Sequence, residues 1–298
     1  MGRLFHYPYS EKLIQSTLDF WGPKYAETKG EQITKDDAEE ILRNLDGFFS
    51  ILLEVDEKHC KKTVETYYSE NEVEVIGPLA QDILSGNFRV LRHVEYAIDH
   101  LASVPGMGEL LKDLARFEKD GNDGERIYDN WLTQLHAVGF AHKKLKLQIL
   151  AVESKSQPVF SVRRIGDKSC DFKASDGSRE YFFETKDASS ETMSQSQDGD
   201  SIDYTPMGKE EIGPWIIKRC READEKGADY LICRVPVWGR GWEEEEQEFY
   251  DKWVRKVFKV KTQPAKHEVI ISKPEGLSDQ FKGVYIIKAF GYLRLGFS

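Results

Sequence analysis

Two short apolar segments, joined by a tight turn, end in charged residues. Residues 170–172 read Cys-Asp-Phe, a turn of Asp-Gly-Ser follows at 176–178, and residues 181–186 read Tyr-Phe-Phe-Glu-Thr-Lys. Because side chains alternate along a strand, Glu184 and Lys186 are expected on one face and Tyr181, Phe183 and Thr185 on the other. Desolvated charges are costly unless they are paired or bind a metal. The sequence therefore predicts a polar site at the edge of an apolar sheet.

This pattern of Asp171, a tight turn, and then Glu184 and Lys186 resembles the signature of the PD-(D/E)xK nuclease superfamily. Cys170 stands where that pattern often has proline, a position that carries no chemistry. The resemblance covers the C-terminal half of the chain or more. It implies an α/β protein with a restriction-endonuclease-like core, in which helices flank a mixed central sheet. An N-terminal, mainly helical region is expected before that core.

The resemblance also implies a Mg²⁺-dependent nuclease that hydrolyses phosphodiester bonds, with DNA as the expected substrate and Mn²⁺ as an alternative ion. Mg²⁺ prefers oxygen ligands and retains waters, so Asp171, Glu184 and the backbone carbonyl of Thr185 are the expected ligands. The metal would lower the pKa of a bound water and neutralise charge on the phosphate. Lys186 would orient that water or stabilise the transition state. Its removal should abolish turnover and leave DNA binding nearly intact.

Many members of the superfamily add an acidic residue from the preceding helix. Glu125 is the first candidate here, and Asp129, one turn later on the same face, is the second. Either residue could equally be a helix-start charge that the helix dipole favours. Glu153, at the end of a predicted strand, is a third candidate. The sequence leaves the choice open.

The best candidate for a domain boundary is the polar, glycine-rich stretch 119–124. It divides the chain into a mainly helical region, 1–120, and a nuclease-like domain, 121–298. The same stretch could also be a plain loop inside one domain.

Apolar spacing and caps predict the individual elements. Thr34 and Asp37 resemble a capping box at the start of a helix that is expected to end at Gly47. The apolar run 48–55 is too short to distinguish a buried strand from a buried helix. Further helices are expected at about 88–101, 110–117, 125–140, 212–227 and 243–260. Strands are expected at 145–152, 158–163, 171–173, 181–186, 230–237, 269–272 and 284–289. The polar stretch 187–209 is expected to be a mobile loop.

The charge balance argues against a simple nucleic-acid binder, because the net charge of the 298 residues is −10. Basic residues nevertheless cluster at 143–146, 163–164 and 252–266, and the local field at a groove matters more than the total. The four cysteines show no zinc-binding spacing and no apolar run is long enough to span a bilayer. These features fit reduced thiols in a cytoplasmic protein without membrane association. A homodimer is an option, because many such nucleases dimerise to cut both strands.

Less specific explanations apply to the same residues. Glu184 and Lys186 could simply pair at a solvated strand end, and Glu27-Thr28-Lys29 repeats the tripeptide in a polar stretch without a strand. His136 is better explained as a structural histidine, and Trp238 as part of a packed loop. A non-catalytic nucleic-acid-binding or protein-interaction module on the same fold is the alternative to an enzyme, and an assembly subunit is a weaker third.

Overall fold

The computed structural model describes residues 9–30, 32–118, 124–154, 164–165, 168–188, 193–195, 202–204, 212–234, 268–288 and 291–297. The helices are α1 (Glu11–Lys29), α2 (Lys35–Glu70), α3 (Gly77–Ser85), α4 (Phe88–Leu101), α5 (Met107–Ala115), α6 (Gly124–Lys143) and α7 (Ile212–Glu225). The strands are β1 (Gln148–Val152), β2 (Arg164–Ile165), β3 (Lys168–Ser169), β4 (Phe172–Ser175), β5 (Glu180–Asp187), β6 (Met193–Gln195), β7 (Ile202–Tyr204), β8 (Tyr230–Arg234), β9 (Glu268–Ile271), β10 (Gly283–Lys288) and β11 (Gly291–Phe297). None of the described helices is long and apolar enough to cross a membrane.

The chain divides into two compact units, Met1–His59 and Cys60–Ser298. A small apolar core in the first unit joins α1 to the start of α2 through Ile14, Ala38 and Leu42. The predicted capping box at the start of α2 is confirmed. The hydroxyl of Thr34 accepts the backbone N–H of Asp37 at 3.2 Å, and the Asp37 carboxylate accepts the backbone N–H of Thr34 at 2.7 Å.

Helix α2 does not end at Gly47, as the sequence predicted, but continues to Glu70. A glycine inside a helix costs only about 1 kcal/mol, which the helix-forming residues on both sides offset. The undecided apolar run 48–55 is therefore helical. It is not buried, however, because six of its large apolar side chains are at least 45% exposed. These are Phe48, Phe49, Ile51, Leu52, Leu53 and Val55.

A mixed seven-stranded sheet forms the centre of the second unit, in the order β1-β4-β5-β8-β10-β11-β9. The pairs β1/β4, β4/β5 and β10/β11 are antiparallel. The pairs β5/β8, β8/β10 and β9/β11 are parallel. Strand β5 thus lies between an antiparallel and a parallel neighbour, and helix α7 connects β5 to β8 along the chain.

Helices cover both faces of this sheet. On one face, Tyr181 and Phe183 of β5 pack in the apolar core that includes buried residues of α3 to α6. On the other face, Leu231 and Cys233 of β8 pack with Trp215 and other residues of α7. The alternation of side chains along β5 and β8 produces this division. The predicted α/β class, with a mixed central sheet flanked by helices and mainly helical residues before it, is confirmed.

The boundary predicted at 120/121 falls between α5 and α6, which both belong to the second unit. Every predicted strand in the described part of the chain overlaps an observed one, whereas the short strands β2 and β3 and the longer β11 were not predicted. The expected strand 158–163, the expected helix 243–260, the basic cluster 252–266, Arg163 and Trp238 lie outside the described residues. The short strands β6 and β7 lie within the stretch 187–209, which was expected to be a loop.

Candidate functional site

The antiparallel pairing of β4 with β5 brings Asp171 beside the C-terminal half of β5. Phe172 pairs with Phe183, and the backbone N–H of Asp171, one residue earlier, donates to the Phe183 carbonyl at 3.0 Å. Asp171 therefore lies next to Glu184, although the two are separated by a turn in the sequence. The turn is stabilised by Asp176, whose Oδ1 accepts the backbone N–H groups of Ser178 and Arg179.

Thr185 holds the Asp171 carboxylate at the end of β5. Its backbone N–H and its hydroxyl both donate to Asp171 Oδ2, at 2.6 Å and 2.7 Å. Two short hydrogen bonds to one oxygen fix the orientation of this carboxylate. The contribution of Thr185 in the structure is therefore to position Asp171, and its predicted role as a carbonyl ligand stays a prediction.

Glu184 is a fully buried carboxylate that two ammonium groups contact. Its Oε1 accepts hydrogen bonds from Lys186 Nζ at 2.6 Å and from Lys226 Nζ at 2.5 Å. The Glu184 side chain is 0% exposed, whereas each lysine side chain is 26% exposed. Its second oxygen, Oε2, is buried and has no hydrogen-bond partner among the described residues. An unpartnered buried carboxylate oxygen is costly, and it marks a place that a ligand could occupy.

The surroundings of Glu184 make its ionisation sensitive to nearby charge. The pKa of Glu184 is raised to about 7, mainly by burial and in second place by the charge of Asp171, while Lys186 and Lys226 oppose the rise. For Lys226, burial lowers the pKa, but the charges of Glu184 and Asp171 outweigh burial and hold the pKa above its ordinary value. A cation that bound to Glu184 would favour its ionised form further.

The donor set suits a hard divalent cation. Among the described residues, no group of three or more His, Cys, Asp or Glu side chains is arranged to hold a metal ion. A cation here would depend on the carboxylates of Asp171 and Glu184, backbone oxygens and water. That set is typical of Mg²⁺, which retains several waters, and Glu184 Oε2 would gain the partner that it lacks. The two carboxylates are thus of the ligand type that the ion prefers, and the ion itself stays a prediction.

The three candidates for the additional acid lie in different surroundings. Glu125 lies in the first turn of α6, and its side chain is outside the described residues. Asp129 lies on the same helix, four residues before Thr133. Glu153 accepts the hydroxyl of Ser169 at 2.9 Å, and its backbone N–H donates to the Asp171 carbonyl at 2.8 Å.

Helix α6 reaches the site through an amide that the sequence did not suggest. Gln134 Nε2 donates to the backbone carbonyls of Glu153 and Asp171, at 2.9 Å and 3.1 Å. Gln134 thereby ties the helix to the two strand ends that carry the predicted acids. This is a positioning contact, since it involves the backbone rather than the carboxylates.

Lys226 is the main residue that sequence reasoning missed. It follows α7 directly, 42 residues beyond Glu184, where no spacing rule connects the two. The parallel pairing of β5 with β8 explains their contact, because the chain entering β8 lies beside the middle of β5. Gly227, with φ of +80°, provides the left-handed turn that redirects the chain from α7 towards β8.

A second buried carboxylate, Asp187, lies at the end of β5 on the opposite face. Its Oδ2 accepts the hydroxyl of Thr133 at 2.7 Å and Arg234 Nη2 at 2.6 Å. Nearby, the rings of His93 and His136 stack with centroids 4.1 Å apart. Burial lowers the pKa of His93 to about 4 and that of His136 to about 3, and Arg234 contributes to both shifts. His136 is partly buried in a ring stack, as its structural interpretation predicted.

The tripeptide Glu-Thr-Lys at 27–29 has different surroundings from the copy at 184–186. Glu27 and Thr28 lie in the last turn of α1, where the Thr28 hydroxyl donates to the Lys24 carbonyl at 2.8 Å. Local context, rather than the tripeptide itself, therefore builds the polar site.

The fold and the site define an α/β protein with two carboxylates and two ammonium groups gathered at one strand of a mixed sheet. No family model, no curated protein and no solved structure matches the chain.

Proposed function

We propose that this protein is a Mg²⁺-dependent nuclease of the PD-(D/E)xK type, with a restriction-endonuclease-like core, that hydrolyses phosphodiester bonds in DNA. The observation that carries the proposal is Glu184 Oε2, a buried carboxylate oxygen without a partner among the described residues. It lies beside a second carboxylate, Asp171, and two partly exposed lysines. A structural ion pair would have no need to leave that oxygen unsatisfied.

The order of elements around the site supports the proposal. Apart from the short strands β2, β3, β6 and β7, helix α6 is followed by β1, β4 and β5, then by α7 and β8. These strands are adjacent in the sheet in the order β1-β4-β5-β8. The succession of helix, strands, helix and strand is what the superfamily resemblance implies, and the proposed catalytic residues lie on β5 and directly before β4.

Each residue has a distinct part in the proposed reaction. Asp171 and Glu184 would hold Mg²⁺, and Thr185 keeps the Asp171 carboxylate in place through its N–H and hydroxyl. The ion would supply a water of lowered pKa and neutralise charge on the phosphate. Lys186 donates one hydrogen to Glu184 and keeps further N–H groups, which would orient the water and stabilise the charge that develops on the phosphate.

The charge balance favours a second candidate, a non-catalytic module on the same fold. Two ammonium groups at Glu184 offset the two carboxylates without any metal, and the net charge of the chain is −10. In such a module Lys186 and Lys226 would only neutralise a buried acid. Three exposed lysines at the end of α6 and directly after it, Lys143, Lys144 and Lys146, would provide a basic surface for nucleic acid in either case.

The decisive experiment incubates purified protein with supercoiled plasmid and Mg²⁺ or Mn²⁺, beside the Lys186→Ala variant. Lys282→Ala is the matched control, because Lys282 is 29% exposed and pairs with a buried acid, Asp229, at 3.4 Å. Cutting by the parent and by Lys282→Ala, but not by Lys186→Ala, supports the enzyme. Binding without cutting supports the module. The absence of both cutting and binding supports an assembly subunit. Light scattering on the same samples tests the predicted homodimer.

A further inference from the structure

Lys226 is held in place by its backbone as well as by its ion pair. Its N–H donates to the Ala223 carbonyl at 3.1 Å, and its carbonyl accepts the Cys170 thiol at 3.6 Å. Its ammonium group ends on the same Glu184 oxygen as that of Lys186. The two ammonium groups are therefore close neighbours, although they come from different elements.

The two lysines have more hydrogen-bond donors than Glu184 uses. Each ammonium group has three N–H donors, and only one is needed for Glu184 Oε1. Both lysine side chains are 26% exposed, whereas the carboxylate beneath them is 0% exposed. Both lysines thus retain partial exposure and unused donors, while the carboxylate is enclosed. A tetrahedral phosphate group, which offers several oxygen acceptors, is the ligand that two adjacent ammonium groups suit.

We infer that Lys226 is a second phosphate-contacting lysine, which together with Lys186 holds one phosphate of a nucleic-acid backbone. The inference rests on the proposed function, because it uses the same site. It differs from a role in which Lys226 only neutralises Glu184, since such a role would involve no contact with nucleic acid. Lys226 keeps its hydrogen bond to Glu184 while its other donors contact the phosphate.

The salt dependence of DNA binding tests this contact without any turnover. The probe is a fluorescein-labelled DNA duplex, and its affinity is measured by anisotropy in EDTA at several salt concentrations. Each phosphate contact contributes about 0.9 to the slope of log K against log salt. Lys226→Met should reduce the magnitude of this slope by about one unit. Lys226→Arg should retain it, because guanidinium also binds phosphate.

Two controls separate contact from structural support. Lys282→Met, which removes a lysine of similar exposure from another buried acid, should leave the slope unchanged. A Glu184→Gln background removes the carboxylate charge with which Lys226 pairs, and Lys226→Met should still lower the slope there. This background also serves if Lys226→Met alone unfolds because Glu184 is left with Lys186 as its one ammonium partner.

The outcomes distinguish this inference from the proposed function. An unchanged slope in Lys226→Met, or no DNA binding by the parent, overturns the inference. If the parent cuts DNA but the slope does not depend on Lys226, the proposed nuclease activity is supported and the Lys226–phosphate contact is overturned. If the parent binds DNA and Lys226→Met lowers the slope as expected, but the parent does not cut DNA with Mg²⁺ or Mn²⁺, the contact is supported and the proposed nuclease activity is overturned.

Discussion

Strand β5 carries two buried carboxylates three residues apart, and their surroundings differ. Asp187 is enclosed by protein donors, since Thr133 and Arg234 both contact its Oδ2. Glu184 receives two ammonium groups on Oε1, while Oε2 has no partner among the described residues. Both side chains are 0% exposed. Burial is thus common to both acids, and the unpartnered Oε2 is the feature on which the proposed role of Glu184 depends.

The elements that supply the partners differ as well. Asp187 faces α6, whose Thr133 contributes a neutral hydroxyl, close to the stacked rings of His93 and His136. Glu184 faces the end of α7, where Lys226 contributes a charge with an exposed side. The two faces therefore differ in the elements and partners that they supply, whereas the exposure of the cations does not separate them, since Arg234 is 35% and Lys226 26% exposed. Variants of the two carboxylates test this difference directly.

The largest expected difference is in DNA cleavage. Glu184→Gln should lower the single-turnover rate by about 10³-fold or more, because it removes a charged metal ligand and weakens the stabilisation of charge on the phosphate. Asp187→Asn should leave the rate little changed, since Asp187 lies on the opposite face. Equal losses in the two variants would show that the comparison has no functional meaning.

The next difference is in the pH dependence of stability in EDTA. The pKa of Glu184 is raised to about 7 by burial and then by Asp171, above the value of about 4.3 in an unfolded chain. The folded state thus keeps a proton that the unfolded chain releases. The stability that this group contributes is full below about pH 4 and is lost as the pH rises through about 7.

Urea denaturation of the parent and of Glu184→Gln at pH 5 and pH 8 measures this effect. The free energy of unfolding of the parent should fall by a few kcal/mol relative to the variant between these values. The histidine pair works in the opposite direction. Burial lowers the pKa values of His93 and His136, so their contribution is lost as the pH falls below about 6.5. A parent-minus-variant difference that does not change with pH would contradict the assignment.

The smallest expected effect concerns Asp187 and its partners Thr133 and Arg234. Asp187→Ala should lower the free energy of unfolding by about 2 kcal/mol, because it leaves Arg234 and Thr133 without this partner. This loss is below the 3–5 kcal/mol typical of a broken buried ion pair, since Arg234 is 35% exposed and can be hydrated. Chemical denaturation at pH 7 gives the value. An unchanged stability would mean that Asp187 does not stabilise the fold.

Sequence reasoning found the parts of the site that depend on local pattern. Strand alternation placed Glu184 beside Lys186, and the tight turn placed Asp171 near them, because both effects act over a few residues. Lys226 depends on a parallel strand pairing, which no local pattern specifies. The predicted end of α2 at Gly47 was wrong, because a single glycine weakens a helix without ending it.

The central claim is that Glu184 and Asp171 bind a divalent cation, and a Mn²⁺ titration followed by electron paramagnetic resonance tests it most directly. Bound Mn²⁺ loses the sharp signal of the free ion, so binding is measured without DNA or turnover. The account predicts that the parent and Asp187→Asn bind Mn²⁺, and that Glu184→Gln does not. Binding that persists in Glu184→Gln, or no binding by the parent, would contradict it.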